Sequence, residues 1–122
     1  MYGTRFLSDV KANAHAAQGF DDVVLYKKDK QAVYIKHVFM SKLPAKVKPD
    51  MSAQHIEFIK QLDTLNLRCY VLVHVKNKLS GQYDLAFFLD DYEAIQGVSK
   101  ELAMQRVMPL ASATHLIDTI LL

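Results

Sequence analysis

The spacing of apolar and polar positions changes several times along the chain, and each change marks an element. Between residues 20 and 62, two short apolar runs, 23–26 and 32–38, flank the charged stretch Lys27-Lys28-Asp29-Lys30-Gln31. That pattern predicts strand, turn, strand, paired as an antiparallel hairpin. The second run alternates, so Val33, Ile35 and His37 fall on one face and Tyr34, Lys36 and Val38 on the other. A loop over residues 39–51 follows, and Pro44 and Pro49 keep it from being helical throughout. Ser52 or Asp50 caps the next predicted helix, which carries Ile56, Ile59 and Leu62 on one stripe and runs to about Asn66.

Cys69–Val75 is the strongest strand signal, β-branched and apolar on both faces. Such a run predicts a central strand covered on both sides. Residues 76–82 hold Ser80-Gly81 and read as a turn, and 83–89 read as a second strand of the same hairpin. Upstream, residues 4–17 read as a helix, with Thr4 as N-cap, Phe6, Leu7, Val10 and Ala14 at helical spacing, and Gly19 as the stop. Asp90 caps a short helical turn through Ile95, and Ser99 caps another through Gln105. Val107-Met108-Pro109 is extended and leads to a last helix over 111–116. The apolar end, IDTILL, packs against the chain's own core or a second subunit.

Composition narrows the class. The 122 residues fit one domain spanning 1–122, with 51% hydrophobic and 23% charged residues, a globular balance. A core this small makes a homodimer the expectation. The lone Cys69 excludes an intrachain disulfide framework and suits a reducing compartment. Within its apolar run it reads as a small buried hydrophobe, not a nucleophile. No apolar stretch approaches the ~18 residues of a membrane span, and MYGTRFLSDVK has no signal-peptide core. A cytoplasmic protein is expected.

The net charge of +2 is too mild to identify a nucleic-acid binder, but the charge is unevenly spread. Between residues 27 and 48 lie seven lysines and one acid, and between 84 and 101 five acids and one lysine. The basic block is either a solvated lysine-rich loop or a phosphate-binding surface, with Lys27, Lys28, Lys42, Lys46 and Lys48 as the DNA-binding candidates.

A metal-dependent nuclease needs an acid at one strand and an acid on the next to hold Mg²⁺, with a lysine two residues beyond the second acid on the same face. Asp21 and Asp22 supply the first acid here, and Lys36 the lysine. Two positions before Lys36 stands Tyr34, a neutral phenol and a poor Mg²⁺ ligand.

With these residues in place, the chain resembles the RecU-type Holliday-junction resolvases of the PD-(D/E)xK nuclease superfamily. Asp22, with Asp21 as the near alternative, resembles the family's strand-start Asp, and Tyr34-Ile35-Lys36 its Glu-x-Lys. Gln54-His55-Ile56 resembles its His-Gln-Ile helix start, and Arg106-Val107-Met108-Pro109 its Lys-Ser-Ile-Pro segment. The family's Glu is thus Tyr34 and its Gln is His55, and the strand expected just before Asp21 reads as short or absent. The resemblance implies an α/β fold with a restriction-endonuclease-like mixed sheet flanked by helices, dimerisation, and branched DNA as partner. It also implies that Asp22, Tyr34, Lys36 and His55 occupy degenerate catalytic positions. Mg²⁺ is then absent or weakly held, by Asp21 and Asp22.

Each candidate also has a plainer reading. Asp21 and Asp22 terminate a turn after Gly19. Lys36 is an exposed edge-strand lysine. Tyr34 packs across the hairpin, and His55 is a solvated first-turn residue. His37, His55 and His74 would need chance convergence to form a metal site, since no HxH or HxxxH spacing occurs. The leading expectation is a DNA-binding pseudoenzyme with a resolvase-like fold. The alternatives are an active resolvase that draws a carboxylate from elsewhere, such as Asp9, and a protein-interaction module on the same fold.

Overall fold

The computed structural model describes residues 13–17 and 20–121, with side chains from Asp22 to Thr119. In chain order the elements are β1 (Asn13–Ala17), β2 (Phe20–Lys28), β3 (Gln31–Met40), β4 (Lys46–Val47), α1 (Ala53–Thr64), β5 (Cys69–Val75) and β6 (Leu85–Asp90). They continue with α2 (Asp91–Gln96), β7 (Val98–Ser99), α3 (Lys100–Arg106), β8 (Met108–Pro109), α4 (Leu110–Leu116) and a π-helical turn, Ile117–Leu121.

Among the described residues, six strands form one mixed sheet in the order β1-β2-β3-β5-β6-β8. β2 and β3 pair antiparallel through a two-residue turn, Asp29–Lys30, flanked by the pair Lys28 and Gln31. Asp29 adopts φ 55, since turns matched to the strand twist need positive φ. β3 and β5 run parallel, which requires the crossover that α1 provides. β5 and β6 pair antiparallel. The hairpin predicted over 23–26 and 32–38 and the central position of Cys69–Val75 are both present.

The alternation along β5 explains its place. Val71, Val73 and Val75 face α1, α2 and α3 with Ile59, Phe87, Leu89, Ala94 and Ala103. Leu72 turns the other way, into a cluster with Tyr26, Val33, Ile35, Ala86, Ala113 and Ile117 beneath α4. The sheet is the middle layer, so a strand at its centre is apolar on both faces.

Local signals set the helix ends. Ser52 caps α1 by accepting from the His55 N–H at 3.1 Å. The helix ends in a left-handed residue, Asn66 at φ 58, with Leu67 N–H bonding Leu62 O at 2.9 Å and Asn66 N–H bonding Asp63 O at 3.0 Å. This 6→1, 5→2 pattern satisfies the last carbonyls. Asp90 and Glu93 form a capping box on α2, and Ser99 caps α3.

One expectation is overturned. Asn13–Ala17, predicted as the end of a helix, is a strand paired antiparallel with β2. Its sequence, NAHAA, favours helix locally. Ladder hydrogen bonds along β2 outweigh that preference. The strand expected to be missing before Asp21 is therefore β1. The remainder of the predicted helix, residues 4–12, lies outside the described residues.

Candidate functional site

The site forms where β2, β3 and the start of α1 meet. Lys36 stands on the face of β3 that α1 covers, beside Val23 of β2 and Val71 of β5. It is 3% exposed, inside the sheet and not on an edge. A buried ammonium needs an anion, and Asp22 supplies it, with Lys36 Nζ 2.5 Å from Asp22 Oδ2.

Strict alternation along β2 would not deliver Asp22 to that face. Val24 and Tyr26 belong to the opposite cluster, so Asp22 would follow them. The β1–β2 register breaks here instead: Ala16 pairs with Val24, and Ala17 with Phe20. The residues between, 21–23, form a bulge, and bulges re-aim side chains. The β2–β3 ladder also stops at Val23 and Lys36, leaving Asp22 beyond its end.

His55 completes the cluster from the first turn of α1. Its Nε2 lies 3.0 Å from Asp22 Oδ1 and its Nδ1 2.7 Å from Ser52 Oγ. An ionised carboxylate only accepts, so Nε2 carries the hydrogen. The Ser52 hydroxyl, in contact with Nδ1, also accepts from the His55 backbone N–H. His55 is 19% exposed, not a solvated first-turn residue. Burial alone would raise the Asp22 carboxyl. The hydrogen bonds from Lys36 and His55 outweigh it and hold the group below the usual carboxylate range.

Tyr34, two residues before Lys36 on the same face, meets the Phe58 ring of α1 edge-on, with centroids 5.8 Å apart. It also stands opposite Leu25 across the β2–β3 hairpin. Mg²⁺ demands several hard oxygen ligands in octahedral array. Asp22 is one carboxylate with both oxygens engaged, and Tyr34 adds none. Among the described residues, no group of three or more His, Cys, Asp or Glu is placed to hold a metal ion. The described part of the site thus offers a metal one carboxylate, already bonded to Lys36 and His55. The side chains of Asp9 and Asp21 lie outside the described residues.

The candidate lysines separate into two groups. Lys27 and Lys28 stand at the β2–β3 turn, opposite Ala32 and Gln31. Lys28 bonds Asp118 at 3.1 Å. Lys42, Lys46 and Lys48 follow the other end of β3 and are exposed. The ten-residue β3, about 30 Å long, parts Lys27 and Lys28 from Lys42, whereas Lys46 belongs to β4, which pairs with β7. The run that is continuous in sequence is thus two surfaces in space. Lys46 and Lys48 pack beside Gly97, whose φ of 86 disfavours any side chain: an added Cβ would meet the flexible end of Lys46 at 2.9 Å and Lys48 Cβ at 3.2 Å.

The three histidines do not converge. His37 Nδ1 lies 2.9 Å from His74 Nε2, and Tyr26 OH 3.0 Å from His37 Nε2. His55 stands apart with Asp22. Burial, with His74 adding to it, pushes His37 down to about 3, and burial pushes His74 down to about 4. Both are neutral core groups. The available signal was His37 sharing a strand face with Val33 and Ile35. A second unforeseen pair is Arg106, which grips Glu93 through two bonds of 2.8 and 2.7 Å and ties α3 to α2. Cys69 is half-buried, and burial, with Asp91 adding to it, pushes its thiol up to about 12, so it is no nucleophile. Clefts of about 350 and 250 Å³ line the C-terminal half of α1 and the start of β5. Neither is lined by Asp22, Lys36 or His55.

No family model matches the chain, and no curated protein matches it. Among solved structures it is similar to Hjc, a Holliday junction resolvase from the archaeal hyperthermophile Archaeoglobus fulgidus. The TM-score is 0.54 at 14% identity, covering 94% of this chain and 97% of that one. The chain therefore has an α/β resolvase-like nuclease fold, a mixed sheet flanked by helices. At this identity the likeness establishes fold and not chemistry. Among the described residues, no helix is long and apolar enough to cross a membrane.

Proposed function

We propose that the protein is a DNA-binding member of the resolvase-like fold that does not cleave DNA efficiently, acting in the cytoplasm as a homodimer. One observation carries the reading. The Asp22 carboxylate is engaged on both oxygens, by Lys36 and His55, and the position two before Lys36 is Tyr34. On this reading the frame of a junction nuclease is kept while its carboxylate is ion-paired internally with a lysine and hydrogen-bonded by a histidine. Asp22, Lys36 and His55 then act as a structural clasp that joins β2, β3 and α1. The resemblance to RecU-type resolvases and the fold shared with the archaeal resolvase support branched DNA as the partner.

Lys42, Lys46 and Lys48 form the primary phosphate-binding surface. Lys27 and Lys28, at the other end of β3, would touch phosphates further along a bound duplex. Fluorescence anisotropy with a labelled four-way junction at two salt concentrations tests the binding. Affinity should fall steeply with salt, and charge reversal at Lys42, Lys46 and Lys48 should weaken it for any sequence. No detectable binding at low salt would leave the fold as an interaction module.

A further inference from the structure

The loop joining β5 to β6 contains Leu79, which is 98% exposed. Lys76 and Lys78 beside it are exposed as well. A single exposed leucine is ordinary on a protein surface. This one is mounted on a braced tip. Asn77 N–H bonds Gln82 O and Gly81 N–H bonds Asn77 O, both at 2.8 Å. Leu79 N–H bonds Asn77 Oδ1 at 2.9 Å, and Gln82 N–H bonds Ser80 Oγ at 3.2 Å. Ser80 Oγ donates to Asp84 Oδ2 at 2.8 Å, occupying the nearby acid. Gly81, at φ 73, makes the turn that closes the tip. A loop held this way loses little conformational freedom on binding.

Its position matters equally. Lys76 N–H bonds Met40 O at 3.3 Å, so the tip extends from the end of the sheet where β3 leads into Lys42. The root of the loop, Lys76, lies about 17 Å along β5 from the level of Lys36, five residues after its partner Val71. Lys76 and Lys78 thus extend the basic surface of the β3–α1 loop, although they are far from it in sequence.

We propose that this hairpin tip is a wedge that engages DNA where bases are unstacked. It rests on the DNA-binding reading above. Lys76 and Lys78 hold phosphates on either side of an opening, and Leu79 covers the exposed face of a base or sugar there. An intact duplex hides its base faces, so Leu79 favours branched over linear DNA. Apolar side chains that enter base steps beside cationic groups work on the same physics.

The test uses the full chain, with anisotropy on a labelled four-way junction and on a linear duplex of matched sequence. A second junction carries 2-aminopurine at the branch point. Leu79→Ser should weaken junction binding about tenfold, with duplex binding changed less than about twofold, and should reduce the 2-aminopurine response. The double variant Lys76→Glu, Lys78→Glu should weaken both substrates and lower the slope of log affinity against log salt by about two. Wild-type binding of both variants, with loss of binding on charge reversal at Lys42, Lys46 and Lys48, overturns the wedge and leaves the DNA reading intact. Failure of the wild type to bind any DNA overturns both. A Leu79-dependent attachment to anionic vesicles, without any effect on DNA, also overturns the wedge.

Discussion

Lys36 and Asp22 form an ion pair of unequal partners: the lysine is 3% exposed, while the Asp22 side chain is 44% exposed. The inequality predicts an asymmetry between substitutions. Asp22→Asn leaves a buried ammonium without its anion and should cost on the order of 2 kcal/mol, below the roughly 3–5 of a fully buried pair because Asp22 is half in water. Lys36→Met removes the buried charge, fills the space, and leaves Asp22 with His55 and solvent, so it should cost less. Urea denaturation of the two variants gives the order, and a larger loss for Lys36→Met would contradict it.

Acid should destabilise the fold in two stages. The buried His37 and His74 have folded values of about 3 and 4 against an ordinary 6.5. The unfolded chain therefore binds protons first as pH falls, and stability present above pH 6.5 declines towards pH 4, by up to ~1.4 kcal/mol per pH unit for each histidine. Asp22, whose folded value is depressed, contributes stability that is lost only below its ordinary 3.8. Thermal melts from pH 7 to 4 should show the first stage. His74→Phe, stacked against Phe39, should flatten the slope.

Tyr34→Glu should weaken the β3–α1 contact by about 1 kcal/mol, the worth of an edge-on aromatic pair. It should also introduce Mg²⁺ binding measurable by calorimetry, since a second carboxylate then shares a face with Lys36. Adding His55→Gln frees one Asp22 oxygen and should strengthen it. Unchanged Mg²⁺ affinity in the double variant would mean that the nuclease frame is not preserved.

Gly97→Ala should be among the most damaging changes outside the core. The positive φ, with Lys48 Cβ and Val47 O close by, predicts a loss of about 1–3 kcal/mol. A melting temperature within a degree of wild type would contradict this.

The elements that were legible in the sequence owe it to period and caps. Alternation gave the β2–β3 hairpin, the doubly apolar run gave β5 its central place, and Ser52, Asp90 and Ser99 marked three helix starts. What was hidden depended on partners distant in the chain. The alanines of β1 have no strand preference of their own and are extended because β2 lies alongside. The direction of Asp22 comes from a bulge opposite Ala16 and Ala17, which no pattern within β2 announces. The lysine block is contiguous in sequence, yet a ten-residue strand runs through it and parts it. His37 and His74 meet through the parallel register of β3 and β5.

The claim of a resolvase fold that binds DNA without cutting it is tested most directly on a saturated complex. An end-labelled four-way junction is held at protein concentrations where the shifted complex is complete, with Mg²⁺ or Mn²⁺ added, and the strands are resolved on a denaturing gel. The account predicts that the complex persists with every strand intact. Metal-dependent nicking by the wild type, abolished by Asp22→Ala, would contradict it.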